Sequence, residues 1–126
     1  MNFEKVVFAF FIILALSLNF GFFVGELSNP DHHHQYELFA ALVASLICTI
    51  MKFGDRTRFG STVLAASLVA DLHLIAAAIV WTIGAQASAD ISGATMASIT
   101  SLSGGALVAN ILSVVLLIIE TGQIRK

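Results

Sequence analysis

The sequence predicts an all-α integral membrane protein, a four-helix bundle with both termini in the cytoplasm, and three observations carry that prediction. Hydrophobic residues make up 58% of the 126 positions and charged residues 11%, against about 45–50% and 25% in soluble domains. The apolar residues gather into four stretches, at 6–24, 38–51, 59–83 and 91–119. All six Lys and Arg residues fall on one side of the topology those stretches define. A water-soluble chain of this size would bury only about two thirds of its surface and leave much apolar area in water, so the bilayer is the expected solvent. One cysteine, Cys48, excludes a disulfide scaffold, and a net charge of −2 without a basic tract excludes a nucleic-acid binder.

The first span is expected at 4–26. Lys5 precedes an apolar run that continues to Val24 without a small-x-small cleavage pattern, so it reads as a retained span and not as a removed leader. The second apolar stretch is short for the roughly 20 residues a crossing helix needs. Asn29-Pro30-Asp31 is a good helix start, however, with Asn as cap and Pro in the first turn. That extends the second span to 30–53. Gly54 and Gly60 bracket the turn to the third span, 59–84, and the fourth lies at 94–120, its leading residues at the interface or in the loop. No linker divides the chain, and residues 1–126 form a single transmembrane domain.

Orientation follows from the basic residues. Lys5 precedes the first span, Lys52, Arg56 and Arg58 lie between the second and third, and Arg125 and Lys126 follow the fourth. The opposite connections hold Glu26, Asp31, Glu37 and Asp90 and carry no Lys or Arg. Short loops rich in Lys and Arg stay inside. Tyr36 and Trp81 then fall near the outer boundary and read as interfacial aromatics.

In lipid, helices associate through small residues and interhelical hydrogen bonds. Ala97, Ser101, Gly105, Ala109 and Ser113 recur every four residues in the fourth span, and Ser17, Gly21 and Gly25 do so in the first. Ala40, Ala44 and Cys48 in the second and Ala66 and Ala70 in the third add shorter rows. These are expected packing seams. A polar residue also follows three after a leucine in every span, which places Asn19, Ser45, Asp71 and Asn110 in one candidate polar layer.

Asp71 is the most informative residue. A carboxylate in mid-span costs about 2.5–3.5 kcal/mol on insertion scales, so it faces protein and needs a partner, water or a proton. Ser67 lies one turn earlier on its face, and Asn110, Asn19, Ser45 or Thr49 are placed to reach it from neighbouring spans. Two readings stand: a group that binds a cation or proton, and a hydrogen-bonded acid that locks the bundle. His73 sits about 200° around the helix from Asp71, on a face shared with Ala66, Ala70, Ala76 and Ala77. It suits a hydrogen bond across an interface or a place in a proton path.

Outside the spans, His32, His33 and His34 lie beside Asp31 and Glu37. His33 and Glu37 are four apart and share a helical face, a spacing that suits zinc or copper. A solvated histidine loop explains the same residues. No cofactor is predicted beyond a cation at Asp71 or a transition metal at these histidines. No nucleophile stands with a histidine and an acid at a recognisable spacing and no glycine loop follows a strand, so an enzyme is not expected.

The runs Tyr36-Glu37-Leu38-Phe39-Ala40-Ala41-Leu42 through Lys52-Phe53-Gly54-Asp55-Arg56-Thr57, then Leu68-Val69-Ala70-Asp71-Leu72 and Ser101-Leu102-Ser103-Gly104-Gly105-Ala106-Leu107, resemble a family of small uncharacterised bacterial inner-membrane proteins with four spans. The resemblance covers most of the chain and implies location, not activity. The expected partners are the lipid bilayer, further copies in a homo-oligomer and a larger membrane protein, with no nucleic acid. The functional expectations are a cation- or proton-conducting or coupling protein centred on Asp71, and, as the alternative, a non-conducting accessory or assembly subunit of a larger membrane transport complex.

Overall fold

In hydrocarbon every peptide group must find its hydrogen bond inside the chain, which makes each apolar stretch a helix. A computed structural model describes residues 3–24, 35–54, 58–87 and 92–124. It has α1 at Phe3–Phe23, α2 at Gln35–Lys52, α3 at Arg58–Ala87 and α4 at Gly93–Ile124, with no strand among the described residues. The ends have local causes. Ser92 caps α4, its hydroxyl accepting the Thr95 N–H at 3.1 Å and its carbonyl the Met96 N–H at 2.9 Å. Past the end of α2, Gly54 takes a positive φ of 94°, a conformation that favours glycine. Gly60, expected at the far edge of the turn and within the third span, lies in the first turn of α3, whose helix begins at Arg58.

Three of the helices are long and apolar enough to cross a membrane: Phe3–Phe23, Gly60–Ala85 and Gly93–Glu120. The sequence reading expected a fourth at 30–53. The helix observed there, α2, has 18 described residues, about 27 Å at 1.5 Å per residue. Gln35, Glu37, Ser45, Thr49 and Lys52 make it less apolar than its neighbours. The helices pack in a closed ring, α1 on α2, α2 on α3, α3 on α4 and α4 back on α1.

The distribution of side chains is the reverse of a soluble bundle. Phe10, Ile50, Leu72, Ile79, Val108 and Ile118 are exposed, while Asn19, Ser45, Ser67, Asp71, Ser103 and Asn110 are buried. Lipid tolerates the former, and only the protein interior offers partners to the latter.

The interior holds two apolar clusters. One contains Phe22, Leu38, Leu74, Trp81, Met96 and Ile99, with small residues between them. The other contains Phe8, Ile12, Cys48 and Val63, with Met51, Val114 and Leu117 against it. Each draws on all four helices. Trp81, expected at the membrane interface, is instead buried in the first cluster, with its ring 6.1 Å from that of Phe22. Tyr36 is exposed as expected.

Glycines bring the helices close. Side chains are seated where β-carbons are missing: Glu37 of α2 on Gly21 of α1, Phe23 of α1 on Gly104 of α4, and His73 of α3 on Gly105 of α4. The four-residue rows predict these seams only in part. A step of four residues turns about 40° beyond a full circle, so a row drifts out of any one interface. Ala109 and Ser113 are buried, Ala97 and Gly105 are half-buried, and Ser101 is exposed, as is Ser17 in α1. Gly25 lies outside the described residues.

Candidate functional site

On each helix, polar side chains lie between the residues of the two apolar clusters. α1 carries Asn19 between Ile12 and Phe22, and α2 carries Ser45 between Ala41 and Cys48. α3 carries Ser67 between Val63 and Ala70, and α4 carries Asn110 and Ser113 between Ala109 and Val114. The result is a polar belt between two apolar plugs.

Half of the belt ties α2 to α3. Asp71, near the midpoint of α3 and 5% exposed, turns toward α2. Ser45 Oγ donates to its Oδ1 at 2.6 Å. Thr49 Oγ1 lies 2.5 Å from its Oδ2 and 3.0 Å from the Ser45 carbonyl oxygen. Ser45 and Thr49 are one turn apart on α2, the spacing that lets one helix face grip both oxygens of a carboxyl group. The described basic groups lie elsewhere: Lys5 is exposed, the Lys52 ammonium sits 4.4 Å above the Phe8 ring, and His73 faces α4.

The other half ties α1 to α4. Asn19 Nδ2 donates to the Ser103 carbonyl at 3.0 Å, and Asn110 Nδ2 donates to Asn19 Oδ1 at 2.9 Å. Asn19 is fully buried, so its amide is satisfied by α4 alone on both its donor and its acceptor side. Ser113, one turn beyond Asn110, is buried with no partner for its hydroxyl. Replacing Asn19 by Leu strands the Asn110 amide, with an expected loss of about 1–2 kcal/mol. Reversible unfolding in bicelles checks this: Asn110→Leu in the same chain should then cost little more, whereas fully additive losses would mean that the two amides do not meet.

His73 and Asp71 diverge as their spacing requires. His73 Nδ1 lies 2.9 Å from the Val69 carbonyl oxygen, and its ring rests on Gly105. For that contact to be a hydrogen bond the Nδ1 carries a proton, since a peptide carbonyl only accepts.

Residues 32–121 match a family described as of unknown function, DUF6394. The chain belongs to that family. Neither the curated proteins nor the solved structures contain a match. Within this DUF6394 chain the family match takes in α2, α3, most of α4 and every belt residue except Asn19.

Of the residues picked out from sequence, Asp71 and Ser45 meet each other, and Asn19 meets Asn110. Ser67 is buried one turn from Asp71. Thr49, named from sequence as within reach of Asp71, meets it, and Ser103 completes the other half through its backbone carbonyl, for which its residue type carried no signal. The metal reading at His32, His33 and His34 lies outside the described residues. Of that set only Glu37 is placed, its carboxylate on Gly21. Among the described residues no group of three or more His, Cys, Asp or Glu is arranged to hold a metal ion.

Proposed function

We propose that this is a bacterial inner-membrane protein that takes up a proton or a small cation at Asp71 and couples that uptake to movement across the membrane, working as a homo-oligomer with both termini in the cytoplasm. The observation that carries this reading is a buried carboxyl group engaged by the Ser45 and Thr49 hydroxyls with no described basic side chain beside it. An acid in that position needs a partner, water or a proton, and the described residues leave room for a mobile ion to fill that role. The placement of Lys and Arg supports the orientation. Exposed Ser17 and Ser101, small residues on outward faces, support contacts between copies.

The second reading, a non-conducting accessory or assembly subunit of a larger membrane transport complex, uses the same outward residues for docking and keeps Asp71 as a clasp. Reconstitution separates the two. With an imposed gradient, wild-type vesicles should pass protons or monovalent cations well above empty vesicles. Asp71→Asn should lower that flux at least tenfold while leaving oligomer size and helix content unchanged. Tight wild-type vesicles, together with co-purification of a larger membrane protein at fixed stoichiometry, would favour the accessory role.

A further inference from the structure

The contacts around Asp71 can be counted in protons, and the count is specific. Three oxygen–oxygen contacts lie within hydrogen-bond range: Ser45 Oγ to Asp71 Oδ1 at 2.6 Å, Thr49 Oγ1 to Asp71 Oδ2 at 2.5 Å, and Thr49 Oγ1 to the Ser45 carbonyl at 3.0 Å. Each needs one hydrogen. Ser45 and Thr49 have one hydroxyl hydrogen apiece, two in all, and a peptide carbonyl has none. If Asp71 is anionic, one contact is left as two lone pairs facing each other, or one hydroxyl hydrogen is divided between two acceptors. A hydrogen on Asp71 completes the set.

We infer that the ion held at this site is a proton, carried on Asp71 Oδ2 and donated to Thr49, whose own hydroxyl donates back along α2 to the Ser45 carbonyl while Ser45 Oγ–H donates to Oδ1. This rests on the reading that Asp71 is the ion-binding group, and it narrows a proton or small cation to a proton. Every contact then has one hydrogen and the cluster is neutral.

A metal cation fits the same atoms poorly. It would need lone pairs from Ser45 and Thr49, turning both hydroxyl hydrogens away from the carboxyl group they touch. Hard divalent cations also take about six or more oxygens, and the cluster offers the two carboxyl oxygens, two hydroxyls and a carbonyl already engaged by Thr49. Among the described residues the surroundings add no charge of their own. α2 brings Ser45, Thr49 and the Cys48 thiol within electrostatic range. α3 adds Ser67, and α1 and α4 bring the neutral amides Asn19 and Asn110 to the same belt.

Infrared difference spectroscopy of the full chain in lipid vesicles tests this. At neutral pH the wild type should give a carbonyl stretch of a protonated carboxyl group that shifts in heavy water and is absent from Asp71→Asn. Thr49→Val removes the acceptor and should move that stretch to higher frequency. If Asp71→Asn does not fold, isotope-labelled aspartate combined with Thr49→Val makes the same assignment. Adding Na⁺, K⁺ or Mg²⁺ at fixed pH should leave the band unchanged. A band that vanishes as a cation is added, or an Asp71 seen only as a carboxylate whose stretch responds to the cation, would overturn the proton assignment while the ion-binding reading survives. A salt-insensitive band combined with wild-type vesicles no leakier than empty ones would do the opposite, leaving a protonated Asp71 that carries nothing.

Discussion

Gly105→Ala should destabilise the bundle by about 1–3 kcal/mol, the usual cost of forcing extra atoms into a packed interface. A β-carbon at Gly105 would stand 2.6 Å from His73 Nε2, inside van der Waals contact. The imidazole cannot simply rotate away, because its Nδ1 is held 2.9 Å from the Val69 carbonyl. Either that bond breaks or α4 withdraws from α3, and both lose packing in a solvent that offers no compensating hydrophobic drive. The rescue is specific. His73→Ala should remove most of the penalty of Gly105→Ala, so the double variant should be more stable than the sum of the single losses predicts. Unfolding in bicelles or by steric trapping measures the cycle. Gly105→Ala with wild-type stability in the presence of His73 would show that the helices do not meet at this point.

Phe22→Ala is the second large effect. Phe22 is fully buried and fills the first apolar cluster against Trp81. In a water-soluble core such a truncation costs about 3–5 kcal/mol; in lipid part of the transfer contribution falls away, leaving a cavity cost on the order of 2–3 kcal/mol. The functional consequence is larger. Phe22 lies one turn from Asn19, so the truncation opens the apolar plug directly above the polar belt. Water reaching the belt should raise passive proton leak through reconstituted vesicles several-fold. Phe22→Leu, which refills much of the space, should restore tightness. Equal leak from both variants would sink the plugging role.

The helices, the ring of apolar surface and the burial of Asp71 near the middle of α3 were legible in the sequence because hydropathy and length decide them. The pairing of Ser45 with Asp71 and of Asn19 with Asn110 was legible in outline, since a polar side chain in mid-span has few places to go. The direction of each bond was not. Which neighbour a residue meets depends on helix rotation of a few tens of degrees, and a row of small residues does not fix that angle. Ser101 and Ala109 belong to the same row and finish on different faces. Trp81 shows the same limit: a tryptophan near a helix end suits the interface or the core equally, and Phe22 decided for the core. His73 was placed correctly on a small-residue face, but its seat on Gly105 needed the register between α3 and α4, which periodicity within one helix does not contain.

The division of the interior into two apolar clusters has a mechanical consequence. Each cluster takes side chains from all four helices, so each is a storey in its own right, and among the described residues the belt hydrogen bonds form a floor between them through which the four helices run. Hydroxyl and amide contacts swap partners over a few degrees of rotation, whereas interlocked rings and methyl groups do not. The two storeys can therefore twist against each other about that floor, and force applied to one end of the molecule should be absorbed there before either storey comes apart.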